Sequence, residues 1–142
     1  MSRVLVVWVH LLGATVWLGG LVYASHLVVP RLARGERDWA GLLARARPIT
    51  WVAVGLVVAT GLWNLAHARW DSPWLMAKVL LILVLIPLAA HRDFAVLPGA
   101  LRALERGMRP DSAVAGVRWL DRVTVLGLLL VLLLGVGVAR GR

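Results

Sequence analysis

The chain has 142 residues, of which 61% are hydrophobic, with a formal net charge of +9 and no cysteine. Its mean hydropathy of +0.82 is more than a soluble domain needs, so the class is an all-α integral membrane protein, one domain over residues 1–142. Disulfides and thiolate metal sites are excluded. The basic charge does not point to nucleic acid, because the arginines lie in loops between apolar runs, where the positive-inside rule puts them.

Four spans are predicted, over about residues 5–28, 48–67, 74–91 and 120–139, giving a four-transmembrane-helix bundle. The first run, VLVVWVHLLGATVWLGGLVYASHLVV, carries no Asp, Glu, Lys or Arg. It is about twice as long as the apolar core of a signal peptide, and no A-x-A site follows, so it reads as a span. Gly13 and Gly20 are seven apart and share a face suited to close helix packing. Pro30 and Arg31 are expected to end this helix. The first loop, residues 31–47, holds five arginines, and Trp39, Leu42 and Leu43 suggest a short interfacial helix within it.

Pro48 suits the first turn of the second span. Thr60, Asn64 and His67 then fall on one stripe of its later half. Residues 68–73 read as a tight turn, with Trp70 and Trp74 as interfacial anchors. Lys78 lies one turn inside the third span, and Pro87 should kink it and free the carbonyl of Leu83. Beyond Arg92, one face carries Leu97, Leu101, Leu104 and Met108 and the other Arg102, Glu105, Arg106 and Arg109. This pattern predicts an amphipathic interfacial helix lying on the membrane surface between spans 3 and 4. Asp111 or Ser112 caps the last helix. No internal repeat is evident.

Loops one and three fall on the same side of the membrane and hold eleven arginines, against four on the other side. They are therefore expected to be cytoplasmic, with both termini outside, in a multi-pass inner (cytoplasmic) membrane protein.

The candidate site follows from depth. At 1.5 Å per residue, His10 lies about 10 Å from the centre of its span, on the outer side. Asn64 and Lys78 lie at about 7–8 Å and His67 at about 13 Å on that side. An ionisable side chain so deep in a span is a functional candidate that needs a partner. Facing imidazoles in a helix bundle are haem ligands, and neutral imidazole also binds copper or zinc. A buried lysine can pair with a carboxylate or act as a base. Trp17 shares a face with His10, being seven residues on, and could line a flat ring. Other readings stand beside these. His67 can be a polar helix end, Lys78 can snorkel outward, and Asn64 and Thr60 can bond helix to helix. His26 and His91 lie near the opposite surface, as interfacial residues or as a second metal site.

The run His10-LLGATV-Trp17-Leu18-Gly19-Gly20 resembles the first helix of the copper-resistance D (CopD) family of membrane proteins. Ala59-Thr60-Gly61 resembles the end of that family's next helix, and Trp74-LMA-Lys78-VLLILVL closing with His91-Arg92 resembles the one after. The related HemJ-type protoporphyrinogen oxidases have a similar plan. The resemblance spans about residues 5–92. It implies haem b, with the roles of an essential His and Lys falling on His10 and Lys78, or copper uptake of the CopD type.

The leading expectation is thus a membrane haem b protein with redox function, as electron transfer or oxidation of a porphyrinogen or quinol. His10 is an axial ligand and His67 the second, and Lys78 and Asn64 hold propionates or substrate. Lys78 is the candidate catalytic group. An alternative is copper handling, with His10, His67 and Met76 as transient ligands, although soft ligands are few: Met1, Met76 and Met108 are the only methionines. A second alternative is a cofactor-free structural or assembly subunit. The expected partners are the lipid bilayer and an unidentified redox partner or small substrate. Gly135, Gly137 and the small-residue face of the first span could serve a homo-oligomer.

Overall fold

A computed structural model describes residues 3–67 and 72–140; the expected turn at residues 68–73, the Trp70 anchor and the terminal Met1 and Arg142 lie wholly or largely outside them. Four long helices account for most of the described chain: α1 (Arg3–Ala33), α2 (Arg37–Ala66), α3 (Pro73–Glu105) and α4 (Ala115–Arg140). Each is long and apolar enough to cross a membrane, and no strand occurs among the described residues. The molecule is an all-α membrane bundle. At 1.5 Å per residue, α3 is about 50 Å long, well beyond the roughly 30 Å hydrocarbon core.

The helices run past the ends expected from their prolines. α1 does not stop at Pro30; it passes through a π-helical turn at Ala24–Val28 and continues over Val29–Ala33. In that turn the Val29 N–H bonds to the Ala24 carbonyl, five residues back rather than four. The wider turn lets the chain pass a residue that has no N–H to give and a ring that crowds the preceding turn. α3 repeats the device. Its π-helical turn is Arg92–Val96, the Leu97 N–H bonds to the Arg92 carbonyl, and Pro98 follows. In both helices, five π-helical residues and one α-helical residue precede the proline. Each hairpin, α1–α2 and α3–α4, therefore opens with a helix interrupted in the same way. This geometric repeat was not evident from residue identities, which differ between the turns.

α2 likewise begins earlier than residue 48. A single 3-10 turn at Arg37–Trp39 leads into helix from Ala40, with Pro48 inside it. Leu43, expected on a separate interfacial helix, is buried on the first turn of this continuous one. The hairpin turn between α1 and α2 is short. Gly35 adopts φ +87°, a left-handed conformation that glycine reaches without strain. Arg34 and Arg31 pair with Glu36 at 3.0 and 3.4 Å, and the Arg34 hydrogen bond holds the Glu36 carboxyl below its ordinary range.

The amphipathic segment is present as Leu97–Glu105, but it does not lie alone on the membrane surface. It is the end of α3, and its apolar face is covered by protein. Leu97, Ala100 and Leu104 pack with Val28, Val29 and Leu32 of α1 and Val117 of α4. The polar face is left for headgroups and water, which accounts for the same sequence pattern. Asp111 makes no side-chain cap; it pairs instead with Arg118 at 2.7 Å.

Within each hairpin, glycines bring the helices together. A Cβ on Gly13 would lie 3.0 Å from Val57 Cγ2 and 3.1 Å from the Ala53 carbonyl oxygen of α2. A Cβ on Gly127 of α4 would lie 2.5 Å from Leu85 Cδ2 of α3, and one on Gly137 would lie 2.9 Å from Trp74. Gly137 thus takes the Trp74 ring against its backbone, and Gly135 leaves room for Lys78. Between hairpins, the backbones of α2 and α3 approach each other at few points. The four helices meet around Trp17, which is 2% exposed and packs with Ala53, Val54, Leu85, Leu128 and Val131, and again toward the loops, where Val28, Leu43, Leu97 and Val117 share an apolar cluster.

Gly127→Val should lower unfolding stability by about 1–3 kcal/mol through overpacking against Leu85. Gly19→Val, where a Cβ meets nothing within 4 Å, should change it by less than about 0.5 kcal/mol. Denaturant titration in mixed micelles measures both, and equal losses would contradict this packing.

Candidate functional site

At the end of the bundle that carries the chain termini, α1 presents His10 to α2. The partner His10 needs is Thr60, whose Oγ1 lies 2.9 Å from His10 Nδ1. The Thr60 hydroxyl has one proton, and its geometry directs that proton back to the Leu56 carbonyl of its own helix, with Val57 O at 3.3 Å as a second acceptor. With its proton so placed, the hydroxyl oxygen is free to accept, which matches a His10 ring protonated on Nδ1. Nε2 of the neutral ring then bears the free lone pair. Gly61 makes room for the ring: a Cβ there would stand 3.4 Å from His10 Cε1. Residues 60 and 61 together orient and admit the imidazole.

Lys78 of α3 is half-buried, and its Nζ lies 3.5 Å from where a Cβ on Gly135 of α4 would be. Lys78 and His10 both lie toward the end of the bundle that carries the chain termini. Asn64 is half-buried one turn beyond Thr60. His67 is exposed at the end of α2, where its ring stacks on Trp63 with centroids 4.3 Å apart and Nδ1 lies 2.8 Å from the Trp63 carbonyl. Trp17 offers no open face for a flat ring; it is buried in the central packing and borders only a small cavity toward the loops. His26 and His91 are exposed toward the loop end, and His26 Nδ1 lies 2.8 Å from Ser25 Oγ. Among the described residues, no group of three or more His, Cys, Asp or Glu side chains could hold a metal ion.

A second polar centre lies toward the loop end, and sequence reasoning missed it. A third span ending at residue 91 places Arg92 in a loop, but it is 7% exposed. Its Nε and one terminal nitrogen donate to the two oxygens of Asp121 on α4, at 2.7 and 3.2 Å. Its other terminal nitrogen donates to Asp93 Oδ1 at 2.6 Å. Asp93 Oδ2 accepts the indole N–H of Trp51 on α2 at 2.9 Å. Asp121 is fully buried. The network ties α2, α3 and α4 together. One signal was available: after Pro87, Leu88 to Asp93 hold no Gly or Pro, so nothing in that stretch ends the helix before Arg92.

Beside this network is a cavity of about 40 Å³, reached by Trp17, Thr50, Trp51, Arg92 and Asp93. A larger open groove of about 310 Å³ runs along α1 and is lined by Ala14, Thr15, Leu18, Gly19, Val22 and Leu132, which offer no metal ligand.

Comparison with family models, with curated proteins and with solved structures finds no match to this chain.

Removing one partner of a buried ion pair leaves an uncompensated charge. Asp121→Ala should therefore lower unfolding stability by about 3–5 kcal/mol, whereas Asp111→Ala, on the surface pair with Arg118, should change it by about 1 kcal/mol or less. Similar small losses in both variants would show that the Arg92 network carries no structural weight.

Proposed function

We propose that this protein is a membrane-embedded haem b protein with a redox function, in which His10 supplies an axial ligand through Nε2. The observation that carries the reading is the Thr60 hydroxyl. By holding the proton of His10 on Nδ1, it leaves Nε2 as a lone pair in fixed orientation, and a hydrogen bond to the far ring nitrogen is how proteins orient a ligating imidazole. The donor set fits one imidazole bond and one carboxylate contact, since the Lys78 ammonium is suited to a propionate. His67, seven residues beyond Thr60, is the second ligand in this reading. Asn64 contributes a polar contact between them.

Bound haem would supply one-electron chemistry on a porphyrinogen, a quinol or another donor. The chain's own part is to fix His10, to place a cation at Lys78 and to keep water out with the Trp17 layer beneath. In this reading, the termini face outside. With Arg92 withdrawn into the bundle, ten arginines remain on the side of loops one and three, against four on the other, so that side is the cytoplasmic one.

The test is the absorption spectrum of the purified protein, before and after dithionite. A Soret band is expected, lost or strongly shifted in His10→Ala and retained in Met76→Leu. Thr60→Val should keep the haem but shift its reduction potential, because the bond that tunes the ligand is gone. A colourless protein from haem-replete cells would overturn the reading; stoichiometric copper in it would point to metal handling, and no metal to helix-to-helix bonding as the role of these groups.

A further inference from the structure

The loop-end cavity has an unusual set of walls. Trp17, only 2% exposed, lines it, and its indole N–H has no partner among the described residues. Arg47 of α2 also lines it, and its buried Nε has no hydrogen-bond partner. Arg47 forms no ion pair among the described residues; its guanidinium stands 5.7 Å over the Phe94 ring. Asp93 and the hydroxyl oxygen of Thr50, both able to accept, line it as well. The cavity thus brings unpaired donors to the same space as acceptors that have capacity to spare.

Charge narrows what can bridge them. Arg92 and Asp121 form a two-bond pair that balances itself. The remaining two charged walls, Arg47 and Asp93, also balance. An anion would leave net negative charge against Asp93, and a cation would face Arg47. The fitting ligand is neutral and both donates and accepts, and at about 40 Å³ there is space for roughly two or three waters and for nothing much larger.

The wide turns point to the same place. Ala24, where the π-helical turn of α1 begins, and Arg92 and Asp93, where that of α3 begins, all line this cavity. Such turns occur frequently at functional sites.

We infer that this cavity is a resident water site, in which a small cluster bridges Arg47 and the Trp17 N–H to Asp93 and Thr50. The site brings water from the loop end into the middle of the bundle as far as Trp17. That residue is seven positions from His10, or about 10 Å along α1. Trp17 is then the barrier between a wet compartment toward the loops and the His10 centre toward the termini. The inference stands whether or not His10 holds a metal.

Radiolytic hydroxyl labelling of the full chain in lipid nanodiscs tests it, because bound water is the source of the label. Leu97 is the dry control, being equally buried at 2% but away from the cavity. After correction for intrinsic reactivity, Trp17 should be labelled several-fold more than Leu97. Gly20 lines the cavity, and a Cβ there would meet nothing nearer than Thr50 Oγ1 at 3.9 Å, so Gly20→Leu should fill the space. It should bring Trp17 labelling down to the Leu97 level, while Gly19→Leu leaves it unchanged. Trp17 labelling no higher than that of Leu97 in the unsubstituted protein overturns the inference, and that measurement decides even if the filled variant fails to fold. Labelling that persists in a folded Gly20→Leu protein overturns it as well.

Discussion

The bundle depends on one guanidinium. Arg92 sits on α3 inside the span and holds the carboxylates of Asp121 on α4 and Asp93 on its own helix. Asp93 in turn takes the indole N–H of Trp51 on α2. Taking ions out of water is expensive, and attraction between them offsets this only when geometry and hydrogen bonds are complete. Here every oxygen of both carboxylates has a donor. That completeness matters because the backbones of α2 and α3 approach each other at few points. The glycine contacts of Gly13 and Gly127 close each hairpin, and the Arg92 network with the Trp17 layer joins the two hairpins.

This arrangement divides the bundle by level. Toward the termini, His10 is held by Thr60, and Lys78 lies at the same end. Trp17 fills the middle. Toward the loops lies the charged network and its cavity. The two polar centres differ in kind. The His10 centre leaves a ring nitrogen uncommitted, which suits it to bind something. The Arg92 centre commits its carboxylate oxygens and suits it to hold helices in register.

Much of the fold was legible in the sequence, because membrane spans are written in long apolar runs. The packing role of Gly13 was legible, although Gly20 on the same face meets nothing nearer than Thr50 Oγ1 at 3.9 Å; the polar stripe of α2 was legible from the spacing of Thr60, Asn64 and His67. That His10 meets Thr60 in particular was not, since spacing fixes a face but not the rotation of one helix against another. The helix ends were misjudged for a local reason. Pro30 as a helix end and Pro48 as a first turn are strong boundary signals in isolation, yet a π-helical turn and an exposed helix face accommodate them. A third span that ends at residue 91 turns Arg92 and Asp93 into surface residues, which hides the Arg92 network. The amphipathic pattern of Leu97–Glu105 was correct, but periodicity does not distinguish a lipid surface from the flank of a neighbouring helix.

The central claim is the state of one imidazole, and nitrogen NMR of the protein labelled with 15N-histidine in lipid addresses it directly. The account predicts that His10 Nδ1 is protonated and coupled to Thr60, with Nε2 unprotonated or metal-bonded, and that Thr60→Val shifts the Nδ1 signal. A His10 resonance with the proton on Nε2, unmoved by loss of the Thr60 hydroxyl, would contradict it.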